Sequence, residues 1–299
     1  MPNQQAFSAA IKTTHSKDLD STATTNYNLE LLGTRLKQRL RSQCPRTESG
    51  SALKRKLPAR EHVEEHATKR ARNDDGKNGL PSETAPWCHP ALHLAEMRRT
   101  EIAETKMLDD DVVRAFQTLL QKAFPGVSGW QAPALAVHEE LGYSQNTGLS
   151  VQIHNNLSGH WLTSARTRAG IFVADSLLTS PNATIARQLI DIYQRDDQSF
   201  IDVTFLPCQW QIGSLQCGDF AICNAAIFAM CIDTKRSQLE KVFSSAHFNQ
   251  NTLRKHMLDC VKAGQFLAPL QLHSAPRVLL RQPTTFRIDC ASRAYHILN

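Results

Sequence analysis

The stretch QWQIGSLQCGDFAICNAAIF, residues 209–228, decides the fold. A polar segment turns at Gly213, and from Cys217 onward the chain becomes an apolar run at helical length. A cysteine therefore opens a helix that is apolar on all sides and belongs in a core. The run from Phe220 to Ile232 is interrupted by Asn224 and is shorter than the roughly 20 residues that span a bilayer, so no membrane contact is expected. Nor does the amino terminus, MPNQQAFSAAIKTT, read as a signal peptide.

Working outward, the flanking segments alternate between helix and strand patterns. MLDDDVVRAFQTLLQKAFP (107–125) places Asp109, Asp110 and Asp111 at a helix start and Val112, Val113, Phe116, Leu119 and Leu120 on one face, ending at Pro125 and Gly126. GLSVQIH (148–154), HWLTSAR (160–166), GIFVAD (170–175) and SFIDVTFL (199–206) read as short strands, with NNLSG (155–159) as a hairpin turn. NATIARQLIDIYQ (182–194) reads as a helix capped by Asn182 or Thr184, burying Ile185, Leu189 and Ile192. A helix, a central antiparallel sheet and a second core helix make an α+β domain.

The charge is confined to one end. The chain carries 34 Lys and Arg against 28 Asp and Glu; up to Pro86 the count is 15 against 10, and beyond it 19 against 18. Residues 1–86 are polar and poor in aromatics, and are expected to form a disordered basic arm with at most a transient helix around Leu29, Leu32, Leu36 and Leu40. Within it, Lys54, Arg55 and Lys56 are followed at a distance by Lys69, Arg70 and Arg72, the layout of a bipartite nuclear localisation signal. That reading makes an importin-type receptor a partner and the nucleus the location. A solvated charge run and weak, sequence-independent contact with nucleic acid are the alternatives.

Eight cysteines, at positions 44, 88, 208, 217, 223, 231, 260 and 290, lack framework spacing and include no C-x-x-C pair. A reducing compartment, no metal centre and no dithiol redox pair are expected. Cys217 is different in its placement. A thiol at a helix amino terminus feels the positive end of the backbone dipole, which favours thiolate, and an imidazole nearby favours it further. His160 begins one strand and Asp175 closes the next, so a carboxylate is available to orient the ring. Gly218 lets backbone pass close to the sulfur, and Gln211, six residues upstream, is a side-chain amide suited to an oxyanion. Cys223, in the same helix, is expected to face the core. Each of these residues taken singly is more often structural than catalytic; their shared order carries the reading.

Three fragments, GHW (159–161), VADSL (173–177) and QIGSLQCGDFAI (211–222), together resemble the ubiquitin-like-protein proteases, the SUMO or sentrin-specific cysteine peptidases, and in particular their transposon-associated relatives. The resemblance covers residues 107–263 and implies a papain-like cysteine protease fold spanning 87–273; it does not extend to 274–299, which is read as a C-terminal tail in which the alternation of TTFRI (284–288) suggests a strand. It implies His160 as general base, Asp175 as its orienting acid, Cys217 as nucleophile and Gln211 as oxyanion donor. It further implies Trp161 and Met107 as walls of a narrow channel for the substrate's glycine-rich terminus. Gln216 stands where the family has Asp, Met107 where it has Trp, and Asp219 where it is apolar. The implied activity is hydrolysis of a peptide or isopeptide bond at a ubiquitin-like modifier's terminus, without a cofactor, with ubiquitin-like proteins or their conjugates as partners. The alternatives are a catalytically silent module that binds ubiquitin-like proteins or serves a transposon-derived complex, and a domain in which Cys217 is a core thiol.

Overall fold

The computed structural model describes residues 87–136, 142–177, 180–267 and 282–298. The basic arm, with both of its cationic clusters and the Leu29–Leu40 segment, lies outside them.

The fold is α+β: the described residues form seven strands in one sheet, arranged spatially in chain order, with helices on both faces. The strands are β1 (Ser128–Gly129), β2 (Ser150–Asn155), β3 (Trp161–Thr167), β4 (Gly170–Ala174), β5 (Phe200–Leu206), β6 (Thr284–Asp289) and β7 (Tyr295–Leu298). The helices are α1 (Glu96–Ala103), α2 (Asp110–Ala123), α3 (Ala183–Tyr193), α4 (Cys217–Met230), α5 (Arg236–Ser245) and α6 (Gln250–Ala263). The sheet is mostly antiparallel, but β1 pairs with β2, and β4 with β5, in parallel. The β4–β5 pairing follows from α3 lying between them in sequence, since parallel neighbours need a crossover.

Alternation along the strands fills two cores. Val151, Ile153, Trp161, Ala165, Phe172 and Ala174 face α4, whose residues are buried all round and which is held at its first turn by the Thr163 hydroxyl donating to Ala221 O at 2.7 Å. On the other face, Leu162, Val173, Ile201 and Val203 pack under Ile185, Leu189 and Ile192 of α3. Full burial of each large side chain stabilises by about 1.5–3 kcal/mol. The caps follow the sequence: Asp109 accepts from Asp111 N and Val112 N, and Asn182, rather than Thr184, accepts from Ile185 N.

The C-terminal stretch read as a tail is part of the sheet in its described portion. Residues 284–289 pair with Phe200 to Phe205 of β5 and turn back into β7. Phe286 and Ile288 continue the apolar face of Val203 and Ile201, which is why this edge is covered instead of free.

Candidate active site

The topology collects the proposed residues at one end of the sheet. Strands β3 and β4 are antiparallel, so the start of β3 lies beside the end of β4, and His160 meets Asp175. Strand β5 runs parallel to β4 and delivers the following loop, with Gln211 and then Cys217, to that same end.

His160 Nε2 and the Asp175 carboxylate are 2.7 Å apart, with Asp175 1% exposed. The carboxylate also accepts from Leu177 N at 2.8 Å, which fixes its own orientation. The Nε2 proton therefore belongs toward Asp175, and Nδ1 is the nitrogen left to act on a neighbour. Nδ1 is buried without a close nitrogen or oxygen partner among the described residues, and the Cys217 thiol is the other side chain that acts on the ring. Burial pushes the imidazole pKa down, but hydrogen bonding and charge from Asp175 and Cys217 outweigh it and raise it to about 9. Cys217 is the first residue of α4, buried, with its sulfur 3.7 Å from Gly159 O, on the peptide that leads into His160.

Gln211 is buried and held from two sides. Its Oε1 accepts from the Ser176 hydroxyl at 2.6 Å, and its Nε2 donates to Gly213 O at 2.9 Å. With the carbonyl engaged by Ser176, the amide has one orientation, and the second N–H of Nε2 remains for an incoming oxygen. The adjacent residues Asp175 and Ser176 thus orient the imidazole and the carboxamide respectively. Ser176 was within the quoted VADSL fragment, yet no role for it is readable from the sequence.

Met107 and Leu108 form a roof over this site. A Cβ on Gly159, whose φ is +81°, would meet Met107 Sδ at 3.2 Å, and one on Gly218 would meet Leu108 side-chain atoms at 3.1 Å. Both glycines make room for the roof. Trp161 is 1% exposed and its indole N–H donates to Leu108 O at 3.0 Å, so it supports the roof from beneath, and Met107, 41% exposed, is the residue that faces outward. Trp161, expected as a channel wall, is buried, with its indole N–H on Leu108 O.

Two departures from the expected motif have partners. Gln216, at the cap position of α4, accepts from the Gln250 amide at the start of α6, and Gln250 in turn accepts from Ile212 N at 3.1 Å. Asp219 is paired at 2.7 Å with Arg254 of α6, a residue the sequence reading did not single out. Burial raises the Asp219 pKa to about 6 against the pull of Arg254. Cys223 faces the core as expected, and burial pushes its pKa well up; the Cys208 and Cys260 thiols are likewise raised, to about 12 and about 11, by desolvation.

No family model and no curated protein matches the chain. Solved structures do resemble it. The SUMO protease Ulp1 with its catalytic cysteine oxidised to a sulfinic acid is 14% identical, with 61% of this chain and 90% of that one covered and a TM-score of 0.43. A de-sumoylating protease is 13% identical, over 57% and 86%, with a TM-score of 0.42. The C-terminal Ulp1 protease domain in complex with Smt3, the yeast ortholog of SUMO, is 15% identical, over 58% and 91%, at 0.39. At these identities and TM-scores the likeness carries no argument about activity, which rests on the geometry above.

Proposed function

We propose that the protein is a cysteine peptidase that hydrolyses a peptide or isopeptide bond at the terminus of a ubiquitin-like protein. The single observation that supports this best is the 2.7 Å His160–Asp175 contact with the Cys217 thiol as the ring's other electrostatic partner. In the proposed reaction His160 Nδ1 takes the Cys217 proton, and the thiolate attacks the scissile carbonyl carbon. The oxyanion is held by Gln211 Nε2–H and by backbone N–H groups at the start of α4, which a helix's first turn leaves available. The imidazolium then protonates the leaving amine, giving an acyl-thioester, and His160 next activates the water that releases the acid and restores the thiol. No metal or organic cofactor takes part in this scheme.

The ubiquitin-like partner is proposed from the joint GHW, VADSL and QIGSLQCGDFAI motif. The basic arm is proposed to bind an importin-type receptor and place the protein in the nucleus, with weak nucleic-acid contact as a second use of the same cations. The test is hydrolysis of a panel of ubiquitin-like proteins carrying a C-terminal aminomethylcoumarin. Release of coumarin by wild type but not by Cys217→Ser supports the reading. Stable binding of a ubiquitin-like protein without release by either supports the silent module instead.

A further inference from the structure

The roof over Cys217 is held from behind by one side chain. Arg254 on α6 is 5% exposed, and its guanidinium donates in four directions. Nε meets Asp219 Oδ2 at 2.7 Å, Nη1 meets Glu101 O at 3.0 Å, and Nη2 meets Lys106 O at 2.7 Å and Leu215 O at 3.5 Å. Two of these acceptors, Asp219 and Leu215, each lie two residues from Cys217. The other two frame the turn from the end of α1 into Met107 and Leu108. That turn is short, closed by Lys106 N donating to Glu101 O at 3.0 Å. One planar fork therefore links the roof's turn to the two sides of the nucleophile, beside the support that Leu108 O receives from the Trp161 indole.

We propose that Arg254 is a positioning residue that sets the height of the Met107–Leu108 roof above Cys217, and with it the cross-section of chain the site admits. The inference rests on the thiol peptidase reading. It follows from the shape of the group: a guanidinium presents five N–H donors in a fixed plane and reaches a carboxylate and several carbonyls at once, whereas an ammonium of equal charge is a point on a flexible stem. Leu108 packs on Gly218 and receives the Trp161 indole N–H, so any displacement of the turn at Lys106 is felt at the thiol. Asp219 is the tether on the nucleophile's side, which gives that residue a function in a helix buried along nearly its whole length.

The experiment compares wild type, Arg254→Lys, Asp219→Asn and, as a control, Arg166→Lys, whose guanidinium contacts Tyr193 on the opposite face of the sheet. Two readouts are taken: the rate at which iodoacetamide alkylates Cys217 at fixed pH, by peptide mass mapping, and kcat and KM on a ubiquitin-like aminomethylcoumarin substrate. Near-ultraviolet circular dichroism records the fold. In Arg254→Lys the alkylation rate should rise about 5- to 10-fold and KM should increase more than kcat falls, while Arg166→Lys matches wild type in both. Asp219→Asn, which keeps the carbonyl contacts and loosens only the tether, should change both readouts in the same direction by less. A folded Arg254→Lys with wild-type alkylation and KM overturns the proposal. Should Arg254→Lys lose its fold, an unchanged alkylation rate in Asp219→Asn overturns it equally. Failure of the peptidase reading is seen separately, as wild-type Cys217 reacting no faster than the remaining cysteines.

Discussion

Replacing Asp175 with Asn should collapse the basicity of His160, and the structure sets the size of the effect. The imidazole is raised from 6.5 to about 9 although burial works against it. That elevation corresponds to about 3 kcal/mol at roughly 1.4 kcal/mol per unit, an upper bound because solvent at the mouth of the site screens part of it. Cys217 contributes to the elevation together with Asp175, so the measurement belongs in a Cys217→Ser background, where Asp175 is the ring's remaining named partner. There the ring should stay above 6.5 on the strength of Asp175 alone. Adding Asp175→Asn leaves burial as the dominant influence and should bring it below 6.5. A titration of the His160 Cε1–H resonance by heteronuclear NMR reads this directly. With Cys217 present, the same substitution should lower kcat/KM about 30- to 300-fold, since roughly 1.4 kcal/mol is tenfold. An imidazole whose titration midpoint is the same with Asp and with Asn would refute the assignment of Asp175 as its orienting acid.

Cys217→Ser should abolish turnover and leave the far-ultraviolet circular dichroism and melting temperature close to wild type, because the two side chains differ little in size; residual turnover above a few per cent contradicts the nucleophile assignment. Ser176→Ala should lower kcat about 10-fold with little change in KM, and should add nothing to Gln211→Ala, since both remove the same oriented amide. His154 is wholly buried between Gln188 and Ser164, and desolvation lowers its pKa to about 4. The unfolded chain therefore binds this proton first, so the stability that neutral His154 contributes is present above pH 6.5 and is lost toward pH 4, by on the order of 3 kcal/mol. Asp219, raised to about 6, works in the opposite sense over the same range, so the difference in urea midpoint between wild type and His154→Gln across pH 7.5 to 4.5 isolates the histidine; parallel curves contradict the reading. Alanine at Lys54, Arg55, Lys56, Lys69, Arg70 and Arg72 should spread a nuclear fluorescent fusion into the cytoplasm, and persistence in the nucleus argues for another signal.

Between Met107 and Met230 the helices α2, α3 and α4 and the strands β2 to β5 were legible because their apolar residues repeat at two or at three to four residues, as in VQIH and VVRAFQTLL, and because Asp109 and Asn182 are strong caps; the two-residue β1 was not. The order of His160, Asp175 and Cys217 was readable because they stand at the start of β3, the end of β4 and the start of α4, with Gln211 in the loop before that helix. What escaped was set by tertiary contact. Helix α6 carries Arg254 on its buried face, and the periodicity of a polar sequence does not tell a buried guanidinium from a solvated one. The hairpin from β6 to β7 showed only as the alternation of TTFRI, and nothing in those residues says which strand they join; that is fixed by β5 offering an uncovered apolar face. Trp161 stands next to His160 in either reading, but only its burial and its hydrogen bond to Leu108 O show that the ring lies inside the domain.

The central proposal is that Cys217 is the reactive nucleophile and that its reactivity depends on His160. Native protein pulsed with iodoacetamide near neutral pH, quenched and mapped by mass spectrometry, reports the rate at every cysteine in one experiment. Burial holds Cys208, Cys223 and Cys260 in the thiol form, so they should remain unmodified while Cys217 reacts first. In His160→Ala the Cys217 rate should fall at least 10-fold with the rates elsewhere unchanged. Equal rates at Cys217 in the two proteins, or a wild-type Cys217 no faster than its neighbours, would contradict the account.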